Sequence, residues 1–377
     1  MKKNIQLLFV TDGIFPHAVG GMQRHSRLLI EELSKIKELE IIVIHPHDEL
    51  KVFKDADNIK EIGLKTTKTK NISEYFLNAY KYSKQVYKEL KKFPDAIIYS
   101  QGMSVWYGIK KIGNRLIINP HGLEPYQVLT LKEKIITAPY RYVHNYLFKH
   151  ASKIVSLGGR LTDIFIKELN LPKEKIIVLP NAAKVPELIS RNFNHTPLQF
   201  LFVGRFAFNK GIQILVDAAR ELNKEGYADK FQFALVGKGP LYEHFLSTYK
   251  EPNLKFYGGA DDATLFNLYK ESDVFVLPTL FEGMPTVVLE AMGYGLPIIV
   301  TDTGATRQLV DDSNGFIIEK KNVPSLKTAI LQYASLNQEE RKKLSETSYS
   351  KLKNNFTWTI VAQQHYELFQ SFKISIL

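Results

Sequence analysis

Two carboxylates and two cations in the second half of the chain have the types and spacing to do chemistry. Glu282 and Glu290 stand eight residues apart in LFEGMPTVVLEAMGYGLP, residues 280–297. Gly283, Met284 and Pro285 form a turn after the first glutamate, and an apolar helical run carries the second. Pro285 suits a first helical turn, because its φ is preset and its missing N–H is not needed there. The amides of Met284, Pro285's neighbour Thr286, and Val287 then make an anion site out of backbone. Glu290 sits among Val287, Val288, Leu289, Ala291 and Met292 and is expected to be part buried. A buried carboxylate needs a partner. A ribose diol on a bound ligand would supply one, and so would a structural salt bridge.

Upstream, VGRFAFNKG (residues 203–211) ends a strand at Gly204 and sets Arg205 and Lys210 in the loop before a helix. The arginine's planar fork and the lysine's point charge suit a diphosphate; the plainer reading is two solvated loop cations. VGKGPLYEHF resembles the opening of G-x-G-x-x-G, but Tyr242 takes the last glycine place. No acidic residue ends a strand about 20 positions later, so this is a tight strand-to-helix turn and not a dinucleotide fingerprint. In the first half, Gly20 and Gly21 separate a strand from a helix. Glycines there let backbone approach a ligand closely, or form a simple loop. His121, in NPHGLE, follows a strand and is placed either to donate to a sugar hydroxyl or to serve as a structural loop histidine.

Absent residues narrow the chemistry. With no cysteine, there is no disulfide, thiolate zinc site or cysteine nucleophile. There is no G-x-S-x-G elbow and no Walker A motif. The DAD at 55–57 matches an Asp-x-Asp metal motif but lies in a Lys-rich polar stretch and reads as solvated loop, so no metal is expected. No run of about 18 apolar residues predicts a membrane span. The opening MKKNIQLLFVTDG reads as a buried strand rather than a signal peptide, which fits a cytoplasmic address. The net charge of +11 is confined to one half: residues 1–180 hold 29 Lys and Arg against 18 Asp and Glu, and residues 181–377 hold 21 of each. A basic half faces an anionic surface or ligand, or is simply solvated.

Short β-branched runs alternate with amphipathic segments in two series, the second restarting near residue 198. This predicts an α/β protein with two doubly wound, Rossmann-like domains facing across a cleft, with ligands outside the carboxyl ends of the strands. The expected domains are 1–180 and 181–355, joined by the polar LPNAAKVPELISRNFNHTP. A helix over 356–377 is expected to pack back on the first domain.

The motifs together resemble the retaining glycosyltransferases of family 4, which have the GT-B fold. The resemblance rests on FEGMPTVVLEAMGYGLPIIVTDTGA with its Glu-x7-Glu pair, on VGRFAFNKG, on LPNAA with Ala182 in place of the usual glycine, and on the glycines at 20–21 and His-Gly at 121–122. It implies that Glu282 and His121 contact the donor sugar, that Glu290 binds the ribose, and that amides near 284–287 hold sugar and diphosphate. Arg205 and Lys210 would stabilise the departing diphosphate, with Gly20, Gly21 and Gly204 letting backbone approach. It implies no cofactor beyond a nucleotide-diphosphate sugar as co-substrate. The acceptor would be a glycan or lipid-linked hydroxyl in cell-surface polysaccharide, lipopolysaccharide or glycolipid assembly, with no nucleic acid involved. YQVLTLKEKIITAPYRYVHNYLFKHASK, residues 126–153, mixes aromatics, aliphatics and cations. Such a segment suits the anionic inner face of the cytoplasmic membrane, or an ordinary helix pair. Two rivals share the architecture: a nucleotide-sugar 2-epimerase, and a non-catalytic nucleotide-sugar-binding protein.

Overall fold

Parallel strands explain why the buried runs are so uniformly apolar. The structure is a computed structural model; it describes residues 4–376 other than 19, 49, 54–55, 67–71 and 129. Asp55 of the DAD stretch lies outside the described residues. The chain divides into two compact units, Met1–Asn181 with Trp358–Leu377, and Ala182–Thr357.

Among the described residues, the first unit has a seven-stranded sheet. Its strands are β1 (Ile5–Val10), β2 (Leu39–His45), β3 (Ile59–Gly63), β4 (Ile97–Gln101), β5 (Leu116–Asn119), β6 (Lys153–Ser156) and β7 (Ile176–Val178). The order is β3-β2-β1-β4-β5-β6-β7, and every pairing is parallel. Parallel strands need crossover helices, which cover both faces and bury the strands between them. β1, β2, β4 and β5 are accordingly almost wholly buried. The edge strands β3 and β7 are half-exposed and short, and β3, IKEIG, shows no apolar run in the sequence. The order reverses between β1 and β4, which makes a topological switch point there. The last helix, Trp358–Ile376, packs on the Gly21–Leu33 helix and on β1. Phe369 and Phe372 join Phe9, Leu29, Leu33 and Tyr99 in one core.

The second unit repeats the plan with β8 (Leu198–Val203), β9 (Phe231–Val236), β10 (Leu254–Gly258), β11 (Val274–Leu277), β12 (Ile298–Thr301) and β13 (Gly315–Ile318). The order is β10-β9-β8-β11-β12-β13, again parallel throughout, with the switch point between β8 and β11. The polar segment after Asn181 is pinned to this unit by Arg191, whose guanidinium donates to the carbonyls of Tyr269, Lys270, Ser272 and Tyr294. The Gln338–Asn355 helix is polar on most of its circumference and shows no apolar period. Its capping box (Asn337 with Glu340) and the Ser348 hydroxyl on the Leu296 carbonyl hold it in place.

Candidate active site

The β8–β11 switch point brings together residues 72 positions apart: the Lys210 ammonium meets Glu282 Oε1 at 2.5 Å. The loop after β8 carries Lys210, and the loop after β11 carries Glu282. Two bonds clasp these loops, from the Leu280 amide (2.8 Å) and the Thr279 hydroxyl (2.9 Å) to the Asn209 carbonyl. The Thr279 hydroxyl also lies 3.1 Å from Glu282 Oε1. Gly211 has φ +72°, and a Cβ there would run into the Pro278 carbonyl, so only glycine allows the loops this close. On the far side, the Ala305 amide donates to the Gly283 carbonyl at 2.8 Å. Gly304, at φ +54°, presses its backbone against the carbonyls of Glu282 and Gly283. The Glu282 turn is thus braced from both sides. The two side chains remain 26% and 11% exposed, enough for a ligand to reach the pair. Gly204 follows β8 beside Arg205, which stays in solvent.

Pro285 stands one place before the helix Thr286–Gly293 as its cap, with φ −70° and ψ 114°, rather than inside the first turn. The Val288 amide bonds the Pro285 carbonyl at 3.1 Å. Thr286 and Val287 therefore supply the first-turn amides that lack an intrahelical acceptor. Met284 buries its side chain below them. Glu290 is half-buried, as its apolar neighbours imply, but it accepts a bond from the Tyr269 hydroxyl at 3.2 Å. Tyr269 stacks on Tyr294 with ring centroids 5.0 Å apart. Burial, with the Glu290 carboxylate next in importance, drives the Tyr269 phenol far above its ordinary pKa, so it stays a donor.

In the first unit, His121 lies two residues after β5, in the left-handed region at φ 60°. Its amide bonds Asn119 Oδ1 at 3.0 Å and its Nε2 bonds Gln101 Oε1. Burial lowers the His121 pKa to about 3, with His365 adding to the effect. The ring also meets buried His25 edge-on at 4.9 Å. Gly20 caps the Gly21–Leu33 helix in an extended conformation, and the space where a Gly21 Cβ would sit is open.

Two family models match the chain: Glycosyltransferase Family 4 over residues 19–185 and Glycosyl transferases group 1 over residues 197–335. The chain belongs to the group 1 glycosyltransferases. An uncharacterized glycosyltransferase of Methanocaldococcus jannaschii is 27% identical over 347 residues, 90% of this chain and 91% of that protein. The UDP-Gal:alpha-D-GlcNAc-diphosphoundecaprenol alpha-1,3-galactosyltransferase of Escherichia coli is 29% identical over 268 residues, 66% of this chain and 68% of that protein. Among solved structures, sucrose-phosphate synthase from Thermosynechococcus elongatus superposes with a TM-score of 0.80 at 17% identity, covering 99% of this chain and 100% of that one. With its two parallel sheets, this glycosyltransferase has the GT-B fold.

Sequence reading missed three contributors to these sites. Tyr269 lies in DATLFNLYKES, whose pattern gives no hint that its hydroxyl reaches Glu290. Thr279 and Gln101 are single polar residues at strand ends, and position at the carboxyl end of a strand is the one signal that would have found them.

Proposed function

We propose that this enzyme is a retaining glycosyltransferase that moves a sugar from a nucleoside-diphosphate sugar to a hydroxyl of a glycan or lipid-linked acceptor in cell-surface polysaccharide or glycolipid assembly. The observation that carries the proposal is the Lys210–Glu282 pair at the switch point, next to the first-turn amides of Thr286 and Val287. Glu282 reads hydroxyls of the transferred sugar. The Thr286 and Val287 amides, Lys210 and Arg205 take the diphosphate, with Gly204 leaving its path clear. Glu290, oriented by Tyr269, receives the ribose diol. The bond from the anomeric carbon to the diphosphate breaks while the acceptor oxygen bonds to the same face. The acceptor's proton passes to the departing phosphate oxygen. Catalysis is then positioning plus stabilisation of charge growing on the diphosphate, which these cations and amides supply without a metal.

The galactosyltransferase relative makes UDP-galactose and N-acetylglucosamine diphospho-undecaprenol the first pair to try, after a thermal-shift screen of UDP, GDP and ADP sugars. A ligand held only by the native state raises the melting temperature. The product should carry the new sugar with the donor's α configuration, seen in the anomeric proton coupling. A β-linked product, or a donor epimerised without acceptor, would remove the proposal.

Contact with an anionic membrane is part of the same reading. The helix Leu131–His150 turns Leu131, Ile135 and Tyr142 outward, 74%, 67% and 76% exposed, along one helical stripe with Lys132, Lys134 and Arg141 nearby. Apolar side chains flanked by cations suit a headgroup boundary. Among the described residues no helix is long and apolar enough to cross a membrane. The enzyme should pellet with phosphatidylglycerol vesicles at low salt and much less at high salt. Equal recovery with and without vesicles would rule this contact out.

A further inference from the structure

Glu290 lies in the last turn of the Thr286–Gly293 helix, and the two ends of that helix are held by different means. The first-turn end follows the Glu282 turn, which the Ala305 amide and the Gly304 backbone brace. The Glu290 end is gripped by Arg191, from the polar segment between Asn181 and β8. Its Nε and Nη2 donate to the carbonyl of Tyr294, the C-cap of this helix, at 3.2 and 2.6 Å. The same guanidinium reaches the end of the Asp262–Glu271 helix. Nη2 donates to the Tyr269 carbonyl at 2.8 Å and Nη1 to the Lys270 carbonyl at 3.1 Å. Nη1 also donates to the carbonyl of Ser272, the C-cap of that helix.

One planar guanidinium thus closes two helix C-termini and sets them against each other. Last-turn carbonyls lack an intrahelical donor, and a cation there also meets the negative end of each helix dipole. The residues it grips are the ones that govern Glu290. The Tyr269 hydroxyl donates to Glu290 Oε2 at 3.2 Å, and the Tyr269 and Tyr294 rings stack 11° from parallel. Arg191 bonds the backbone of both tyrosines. A slip of about 1 Å between the two helix ends takes the phenol out of hydrogen-bond range. The segment carrying Arg191 is fixed in turn. The Phe193 carbonyl accepts from Arg341 at 3.1 Å, and His195 Nε2 lies 3.1 Å from Asp273 Oδ2.

We propose that Arg191 is a positioning residue for the donor nucleotide: by holding Tyr269 and Tyr294 it aims the Tyr269 hydroxyl at Glu290 and so presents that carboxylate to the ribose diol. The proposal rests on the reading of Glu290 as the ribose-binding residue. It gives the segment before β8 a part in donor binding. It also limits that part to the ribose, because the amides that meet the diphosphate lie at the other, separately braced end of the helix.

Calorimetric titration of UDP, GDP and ADP, and of their 2′,3′-dideoxy and monophosphate analogues, tests it on the full chain. The wild type should bind its preferred nucleotide about tenfold more tightly than the dideoxy analogue, the worth of a hydrogen bond to a charged group. Arg191→Ala strands the carbonyls of both helix ends, so the variant to use is Arg191→Lys, which keeps the charge but loses the planar fork. Arg191→Lys and Tyr269→Phe should each cut the ribose preference to about threefold or less. Both should keep the preference for diphosphate over monophosphate within about twofold of wild type, and adding Arg191→Lys to Tyr269→Phe should lower the ribose preference no further. A full ribose preference in Arg191→Lys overturns the proposal. So does an equal loss of ribose and diphosphate preference, or additive losses in the double variant. A wild type with no ribose preference, or with no binding of any of these nucleotides, overturns the reading of Glu290 itself and the proposal with it.

Discussion

Lys210→Ala is expected to lower the rate of transfer by about 10²–10³-fold, the usual cost of removing one group aimed at charge that develops in the transition state. The ammonium sits 2.5 Å from Glu282 Oε1, which fixes its position. The clasp to Asn209 and the glycine at 211 hold that geometry through backbone, which the substitution leaves untouched. The expected stability cost is small, about 1 kcal/mol, because the pair is partly solvated. Glu282→Gln should also slow transfer, by weakening the grip on the sugar and leaving Lys210 without its partner. Residues acting as a unit are not additive, so the double variant should lose less than the product of the two single losses. Initial rates across donor concentrations, with a melt of each variant, decide this. A Lys210→Ala enzyme within threefold of wild type would take Lys210 out of the chemistry.

The second large effect is a loss of stability in mild acid. His25, His121 and His365 sit together in the first unit, with His25 edge-on to His121 and His365 Nε2 2.9 Å from the Tyr99 hydroxyl. Burial first, then their mutual repulsion, holds His25 far below its ordinary pKa and His121 at about 3; burial holds His365 at about 4. In the unfolded chain each imidazole takes its proton near pH 6.5. Below that pH the unfolded state binds more protons than the folded one, so stability present above pH 6.5 is lost as pH falls toward the folded values. The loss approaches about 1.4 kcal/mol per pH unit for each histidine. Buried His144, at about 4, acts in the same direction. Asp12 acts in the opposite one, because a carboxyl raised to about 6 takes its proton in the folded state first. His45 and His47, also lowered by burial, act with the cluster, and Asp273, raised by burial, acts with Asp12; the histidines outnumber the raised carboxyls, which leaves a net loss of several kcal/mol between pH 6.5 and 4.5. Urea titrations across that range should show the midpoint falling steeply, and His25→Phe should flatten the slope. A midpoint constant from pH 7 to 4.5 would mean that the cluster hydrates or opens at little cost.

The two parallel sheets were legible because buried parallel strands are continuous apolar runs, as in LEIIVIH and LQFLFV. β3, IKEIG, escaped because an edge strand is free to alternate with charge, and the Gln338–Asn355 helix escaped because its polar surface has no period to detect. Glu282, Lys210 and Glu290 stand out by residue type and local spacing. That Lys210 reaches Glu282 depends on β8 lying beside β11, and strand order is a property of the whole sheet. The apolar neighbours of Glu290 call for a partner, from a ligand or from within the protein. Tyr269 meets part of that need, and it comes from the preceding helix through a contact that neither segment announces. The proline at 285 illustrates a smaller limit: a preset φ fits a cap as well as a first turn, and the chain uses it as the cap.

All of this presupposes that the β8–β11 switch point holds a nucleoside diphosphate. Calorimetric titration of UDP into the full-length wild type and into Lys210→Ala and Glu290→Gln would test it. One site is expected in the wild type, with about tenfold weaker binding in each variant, through the diphosphate in one and the ribose in the other. Affinity unchanged by both substitutions, or no binding of UDP, GDP or ADP at all, would contradict it.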